Sequence, residues 1–275
     1  MPNHSVIAHR YCDGKVEAQS VELANEAPLH ISVNDESYVT TMRTEDGHDP
    51  ELARGLLFTE GIVTERQADL RFVETIDPET KSLARLNVLI EPELLRVPVA
   101  GRRNQLASAS CGICGTRDPA DIELFGDPLK ISSSQQIVAQ QILKLFDSMN
   151  AAQTTFHESG GTHAAAAYTH NGSELAVRED IGRHNAVDKV IGHLLATNRL
   201  NDAIVLTVSG RVSYEIVTKV YRSQIPILAA VSAPSSMAVE TAQAFGITLI
   251  GFCRENRMTV YTNPERITTS ARSDA

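Results

Sequence analysis

The chain has 275 residues, of which 42% are hydrophobic and 21% charged, an ordinary composition for a globular protein with one large domain or two small ones. Its formal net charge of −9 argues against non-specific binding to DNA or RNA, which depends on excess lysine and arginine, although a local basic cluster can still bind phosphate. No segment approaches the roughly 18 apolar residues of a membrane span, and the N-terminus lacks an apolar run of signal-peptide length, so we expect a cytoplasmic protein without membrane contact.

Residues 1–118 are predicted to form a small α+β domain. Residues 1–25 are polar and aperiodic, which indicates a loose arm or an edge strand. Asp49-Pro50 supplies an N-cap and a first-turn proline for a helix over Glu51–Glu60. Alternating hydrophobic patterns predict strands at Pro28–Val33, Tyr38–Met42, Leu70–Ile76 and Leu83–Ile90.

A glycine-rich loop without hydrophobic periodicity follows, and we place the domain boundary after residue 118. Residues 119–275 then alternate strand and helix, which predicts a three-layer α/β domain with a largely parallel sheet. The helices are expected at Ser132–Asn150 (with a serine cap), Asn185–Ala196, Tyr214–Arg222 and Ser235–Phe245. The strands are expected at Ala164–Thr169, Glu174–Arg178, Ala203–Val208, Pro226–Val231, Ile247–Cys253 and Met258–Thr262.

The pair Cys111 and Cys114, with Gly112-Ile113 between them, is the strongest candidate for chemistry. Two cysteines at this spacing can share a metal, form a disulfide or pass sulfur, and all three uses need a thiolate. Gly112 and Gly115 leave room for a partner to approach the sulfur. The competing interpretation is two small buried hydrophobic residues, which is less typical of a polar Gly/Ser loop.

Zinc is the main alternative ligand for this pair. A structural zinc site needs about four ligands, and one cysteine pair supplies two. Cys253 with His157, His163 or His184 could complete a site, but no spacing in the sequence indicates it. A zinc deaminase would need an upstream His-x-Glu and a proline directly before the pair, where this chain has Ser110. We therefore predict no metal site.

Polar turns rich in arginine, serine and glycine follow several predicted strands. Turns at the carboxyl ends of strands form the ligand crevice of α/β sheets, and helix N-termini there attract anions. Taken singly, each turn could equally be a capped helix entry or a solvated hairpin. The candidate ligand contacts in these turns are His163, Arg183, Ser209, Arg211, Phe252, Cys253, Arg254, Glu255, Asn256 and Arg257.

Taken together, these motifs resemble the FdhD family of sulfurtransferases, which are needed for active formate dehydrogenase. The resemblance covers roughly residues 25–267 and depends on several blocks in the family's order. The blocks are Ser110–Gly115, Gly161–Ala165, Glu179–Lys189, Ser209–Glu215, Ser232–Ser236, Thr248–Cys253 and Val260–Thr262.

The resemblance implies a function and a fold. Cys111 would accept sulfur from a cysteine desulfurase as a persulfide, Cys114 would assist or protect it, and the sulfur would pass to the molybdenum (or tungsten) bis-guanine-dinucleotide cofactor, bound as a substrate, before formate dehydrogenase receives it. The segment Phe252–Arg257 would hold part of the dinucleotide, which guanine nucleotides would mimic. The larger domain would have a cytidine-deaminase-like fold without its zinc, and the protein would be a homodimer.

Two alternatives remain from the sequence. A non-catalytic chaperone for the molybdenum cofactor would explain the turn arginines and leave the cysteine pair incidental. A zinc-dependent deaminase would require stoichiometric zinc.

Overall fold

A computed structural model describes residues 4–96, 106–107, 126–132 and 135–269. The first of these ranges opens with an antiparallel ribbon of two strands, β1 (His4–Cys12) and β2 (Lys15–Leu23). Its turn is Asp13-Gly14, and both residues have positive φ, as a two-residue hairpin turn requires. Of the two expectations for this segment, the loose arm was wrong, whereas both strands of the ribbon are edge strands with one neighbour each. The Asp-Gly turn was the signal for the hairpin.

A five-stranded sheet with one helix forms the N-terminal unit. The sheet order is β5-β6-β3-β4-β7, and the helix α1 packs on one face. Leu29, Ile31 and Val33 alternate along β3 and meet Leu52 and Leu57 of α1 in one buried cluster. The elements are β3 (Glu26–Val33), β4 (Glu36–Thr44), α1 (Asp49–Thr59), β5 (Arg71–Ile76), β6 (Leu83–Leu89) and β7 (Leu106–Ala107). The four strands and the helix predicted here are confirmed to within two residues.

The C-terminal unit contains a six-stranded sheet between two layers of helices. The sheet order is β10-β9-β11-β12-β13-β14, and a separate short parallel pair joins β8 to β15. The helices are α2 (Ala139–Ala152), α3 (Thr154–Ser159), α4 (Arg183–Ala196), α5 (Tyr214–Ser223) and α6 (Ser236–Ala244). The strands are β8 (Ile137–Val138), β9 (His163–Tyr168), β10 (Glu174–Asp180), β11 (Val205–Val208), β12 (Ile227–Ala230), β13 (Thr248–Arg254), β14 (Arg257–Val260) and β15 (Ile267–Thr268).

Two buried clusters show the three layers of this unit. Ile142 and Leu145 of α2 pack against Ala166 and Val205 on one face of the sheet. On the other face α4, α5 and α6 cover Leu206, Leu228 and Leu249. The continuous apolar runs of β11 and β12 reflect this burial on both faces.

Two details of the prediction were wrong in this unit. The sheet is mixed, because only β11, β12 and β13 run parallel, while β9, β10 and β14 pair antiparallel with their neighbours. The helix expected from Ser132 begins at Ala139, because Ile137 and Val138 pair with β15 as a short strand instead. Its N-cap residue is Val138, which is not the serine cap that the sequence predicted.

The two units meet where α1 crosses α4. A Cβ added at Gly55 would lie 1.9 Å from the backbone oxygen of Asp188, and one added at Gly192 would lie 1.8 Å from that of Glu51. The helix backbones are therefore in direct contact, which only glycine at these two positions permits. The predicted boundary at residue 118 lies outside the described residues. None of the helices in the described ranges is both long and apolar enough to cross a membrane.

Candidate anion-binding site at one sheet edge

The carboxyl ends of β11, β12 and β13 lie at one edge of the sheet because these strands are parallel. The first residue of β9 lies at the same edge, since β9 runs antiparallel to β11. Backbone hydrogen bonds connect the turns that follow: Ser209 N donates to Ala164 O (2.9 Å), and Phe252 N donates to Ser232 O (3.3 Å). The turns that the sequence singled out separately thus stand side by side.

Three of the predicted contact residues meet directly at this edge. The Ser209 hydroxyl accepts a hydrogen bond from Ala164 N (2.9 Å) and lies 3.5 Å from His163 Nδ1. A Cβ added at Gly210 would lie 3.4 Å from both His163 Nδ1 and the Cδ of Arg183. His163, Arg183 and Ser209 therefore form one cluster around Gly210.

Several positive groups lie near His163 in this acidic chain. Burial lowers the pKa of His163, and the positive charges of Arg183, His184 and Arg211 lower it further. These three side chains therefore lie close enough to the imidazole for their charge to act on it. Because Arg211 is exposed, a ligand can reach its charge from solvent.

Helix N-termini add to the positive potential at this edge. The helices α4, α5 and α6 begin directly after the turns, with Gly182, Ser213 and Ser235 as their N-cap residues. The amides of a helix's first turn lack partners within the helix and carry partial positive charge, so they favour anions. The Ser235 hydroxyl already accepts from Ala238 N at the start of α6, so the first turns of α4 and α5, which have no side-chain cap, are the candidate anion contacts.

His184 and Glu215 belong to this edge and were missing from the predicted contact residues. His184 Nε2 lies 2.9 Å from Glu215 Oε2 and 3.3 Å from the hydroxyl of Ser213. The pair connects the first turn of α4 to that of α5. The sequence placed each residue at a helix start, but their pairing depends on the order of the sheet strands, which the sequence did not specify.

Glu179 supports the loop that leads into His163. Its carboxylate accepts hydrogen bonds from Thr155 N (2.9 Å) and Phe156 N (2.8 Å) at the start of α3, and from the hydroxyl of Thr162 (2.7 Å). A carboxylate at a helix N-terminus satisfies amides that would otherwise lack partners. Glu179 thus fixes the approach of the chain to the site.

The segment Phe252–Arg257 forms a projecting hairpin at the same edge. Glu255 and Asn256 both have positive φ and make its turn, while the exposed Arg257 lies 3.2 Å from Glu255. Arg254 is also exposed. Cys253 differs, because its side chain is buried in the core, and burial raises the pKa of its thiol to about 12. Any contact that Cys253 makes with a ligand would use its backbone.

Cys111 and Cys114, the predicted sulfur-carrying pair, lie outside the described residues. Within the described ranges, no group of three or more His, Cys, Asp or Glu side chains is arranged to hold a metal ion.

Comparison with known proteins agrees with the resemblance seen in the sequence. The profile of the FdhD/NarQ family matches residues 24–268. A protein of Mycobacterium tuberculosis named sulfur carrier protein FdhD is 41% identical, over 96% of this chain and 98% of its own length. A protein of the same name from Sulfolobus acidocaldarius is 40% identical, over 93% of this chain and 94% of its own.

A solved structure supports the fold. The crystal structure of a protein described as a candidate formate dehydrogenase accessory protein, from Desulfotalea psychrophila, superposes with a TM-score of 0.75 at 22% identity. The match covers 98% of this chain and 100% of that one, so the mixed α/β architecture is shared throughout. From the family match over residues 24–268 and the near full-length relatives, the chain belongs to the FdhD/NarQ family.

Proposed function

We propose that this chain is a sulfur carrier that accepts sulfur on Cys111 from a cysteine desulfurase and delivers it to the molybdenum bis-guanine-dinucleotide cofactor, for the benefit of formate dehydrogenase. The relatives' shared name, sulfur carrier protein FdhD, supports the general activity. The observation that carries the cofactor half is the meeting of His163, Arg183 and Ser209 around Gly210, next to the exposed Arg211, in a chain of net charge −9. A dinucleotide offers phosphates to such an edge.

The described strand that precedes Cys111 in the sequence pairs with a strand that contacts the first turn of α4. The strand β7 pairs its Leu106 and Ala107 with Thr40 and Thr41 of β4. The hydroxyl of Thr41 lies 3.5 Å from the side-chain oxygen of Asn185 in the first turn of α4. Cys111 follows Ala107 by four positions in the sequence.

The loading step is a thiol–persulfide exchange. The Cys111 thiolate attacks the outer sulfur of the desulfurase persulfide, so that a new S–S bond forms at Cys111 while the S–S bond of the desulfurase breaks and its cysteine leaves as a thiolate. The exchange moves one sulfur atom with no external oxidant or reductant. Cys114 is proposed to assist or protect the persulfide.

The cofactor is the second substrate, and the residues of the edge bind it. Arg183, Arg211 and the helix N-termini would hold phosphates, while Phe252 and the hairpin Arg254–Arg257 would contact a guanine arm. We also propose that the protein is a cytoplasmic homodimer. Its proposed protein partners are the cysteine desulfurase and formate dehydrogenase.

Mass spectrometry of the intact protein tests the sulfur-carrier half. We expect wild type to gain one sulfur mass after incubation with a cysteine desulfurase and cysteine, and to lose it on treatment with a thiol reductant. Cys111→Ala should not gain it. The matched control is Cys12→Ala, which removes an exposed thiol on the ribbon and should load like wild type.

Absence of the gain in wild type would contradict sulfur carriage. Binding of guanosine diphosphate by that same inactive protein would then favour a non-catalytic cofactor chaperone, because the cluster around Gly210 does not depend on the thiol. Full loading of Cys111→Ala would show that another cysteine is the carrier.

A further inference from the structure

The turn before Arg183 is hydrogen-bonded to β4 of the N-terminal unit. Ile181 N donates to the hydroxyl of Thr44 (3.0 Å), and Gly182 N donates to Asp180 Oδ1 (2.8 Å). In return, Thr44 N donates to Asp180 Oδ2 (3.1 Å). Both side chains are buried, Thr44 at 5% and Asp180 at 0% exposure. The backbone amides of Ile181 and Gly182 are thus held by Thr44 and Asp180, two residues that bond to each other and belong to different sheets.

The same carboxylate also fixes the first turns of α4. Asn185 Nδ2 donates to Asp180 Oδ1 (2.9 Å) and to Met42 O of β4 (2.8 Å). Lys189 Nζ lies 2.7 Å from Asp180 Oδ2 and donates to Thr44 O (3.3 Å). Asp180 therefore accepts four hydrogen bonds, from the turn, from α4 and from β4.

These contacts fix the position of β4 relative to the turn before Arg183. Because bidentate and reciprocal hydrogen bonds in a buried site permit little movement, the spacing between Thr44 and the first turn of α4 is held tightly.

We propose that Thr44 and Asp180 are positioning residues that hold Arg183 and the start of α4 in register with β4, and so keep Arg183 beside His163. The positioning itself depends only on described contacts. That a nucleotide phosphate binds beside these two residues rests on the proposed function.

A second buried network offers a matched control. The Thr59 hydroxyl donates to Asp188 Oδ1 (2.7 Å), and Lys219 Nζ binds both oxygens of Asp188 (2.9 and 2.8 Å) and Thr59 (2.9 Å). Thr59 is as buried as Thr44, at 1% exposure. This network also joins the two units through a buried threonine, aspartate and lysine, although the Thr59 hydroxyl donates to its aspartate whereas the Thr44 hydroxyl accepts from Ile181 N. It connects α1, and not β4, to the helices of the C-terminal unit.

The test compares Thr44→Val, Thr44→Ser and Thr59→Val in the full chain. Valine keeps the shape of threonine and removes the hydroxyl, whereas serine keeps the hydroxyl. Both valine variants should lower Tm, because each loses a buried hydrogen bond. Only Thr44→Val should weaken binding of guanosine diphosphate in calorimetry, by roughly five- to tenfold, as expected for one lost positioning hydrogen bond. Thr44→Ser should restore the affinity.

A ligand-free measurement separates this inference from the proposed function. If Arg183 moves away from His163 in Thr44→Val, NMR should show the pKa of His163 rising toward its ordinary value, with no rise in Thr59→Val. An unchanged His163 titration in Thr44→Val overturns the inference, whether or not the nucleotide binds. Equal effects of Thr44→Val and Thr59→Val on that pKa would also overturn it. Failure of wild type to bind guanosine diphosphate would count against the proposed dinucleotide site alone.

Discussion

His163 is half-buried among positive groups, and both conditions favour its neutral form. Burial is the larger cause of its lowered pKa, followed by Arg183, His184 and Arg211. Because the pKa of His163 is lower in the folded state, the unfolded chain binds a proton at this residue more readily than the folded protein does. The free energy of unfolding therefore has its full value, as far as His163 is concerned, above about pH 6.5, the unfolded pKa. It falls as the pH drops from there toward the folded pKa.

Removing one positive neighbour should raise the pKa of His163. We expect Arg211→Gln to do so, because Arg211 is exposed and its loss leaves the burial of the imidazole unchanged. NMR titration of the imidazole protons, assigned with His163→Asn, provides the measurement. Arg199→Gln is the control, since the exposed Arg199 is paired with Asp202 (3.2 Å) and is not among the groups that shift His163. A pKa of His163 that is unaffected by Arg211→Gln would mean that the charge of Arg211 does not act on the imidazole.

The sequence predicted those residues of the site that lie in polar turns directly after predicted strands. His163, Arg183 and Ser209 were named from their turns, and they meet in the structure. Thr44 was not named, because nothing local distinguishes it from other strand threonines. Its role depends on contacts with residues 136 and 137 positions away. Such contacts follow from how the two units pack, which local pattern does not encode.

At the level of elements, the crossing of α1 and α4 is the most constrained contact between the units. We expect Gly192→Ala to destabilise the fold by about 1–3 kcal/mol or more, since its Cβ would overlap the Glu51 backbone oxygen. This loss would occur although alanine is intrinsically favoured over glycine in a helix by about 1 kcal/mol. The free energy of unfolding from urea titration is the measurement.

Gly161→Ala is a milder comparison for the same measurement. Its Cβ would come no closer than 3.3 Å to a neighbour, the Cβ of Ala24, and Gly161 has no positive φ. We expect a smaller loss of stability there. If Gly192→Ala were no more destabilising than Gly161→Ala, the two helix backbones could not be in direct contact.

The elements themselves were largely predictable, and the errors have identifiable causes. Hydrophobic periodicity located the strands and helices on both sides of the loop, because each buries one face or both. The direction of the strands was harder to predict, since a hairpin such as β9–β10 can extend a sheet of parallel strands at its edge. The short strand at Ile137–Val138 was read as helix because two apolar residues fit either period.

On the scale of the whole molecule, the β1–β2 ribbon stands apart from the packed units. Ile7 and Tyr11 are 69% and 79% exposed, and within the described part of the chain the ribbon packs mainly against α3. It also precedes the family match, which begins at residue 24. Isolated two-stranded ribbons contribute little to the stability of a fold.

Removal of residues 1–23 should therefore leave the core intact. We expect the shortened protein to melt within about 2 °C of the full chain, since less than about 1 kcal/mol of packing would be lost. Circular dichroism on heating measures this. A fall of more than about 5 °C would show that the ribbon is part of the cooperative structure.

The helix crossing also affects how the protein is made. The polar and glycine face of α1 finds its partner only when α4 and α5 leave the ribosome, more than a hundred residues later. At about 5–20 residues per second, α1 waits on the order of ten seconds for that partner. During this interval Thr59 and Glu51 have none of their contacts with α4, α5 or β10. The N-terminal unit thus completes its packing only after most of the chain has been translated, which makes nascent chains of this protein candidates for protection by chaperones.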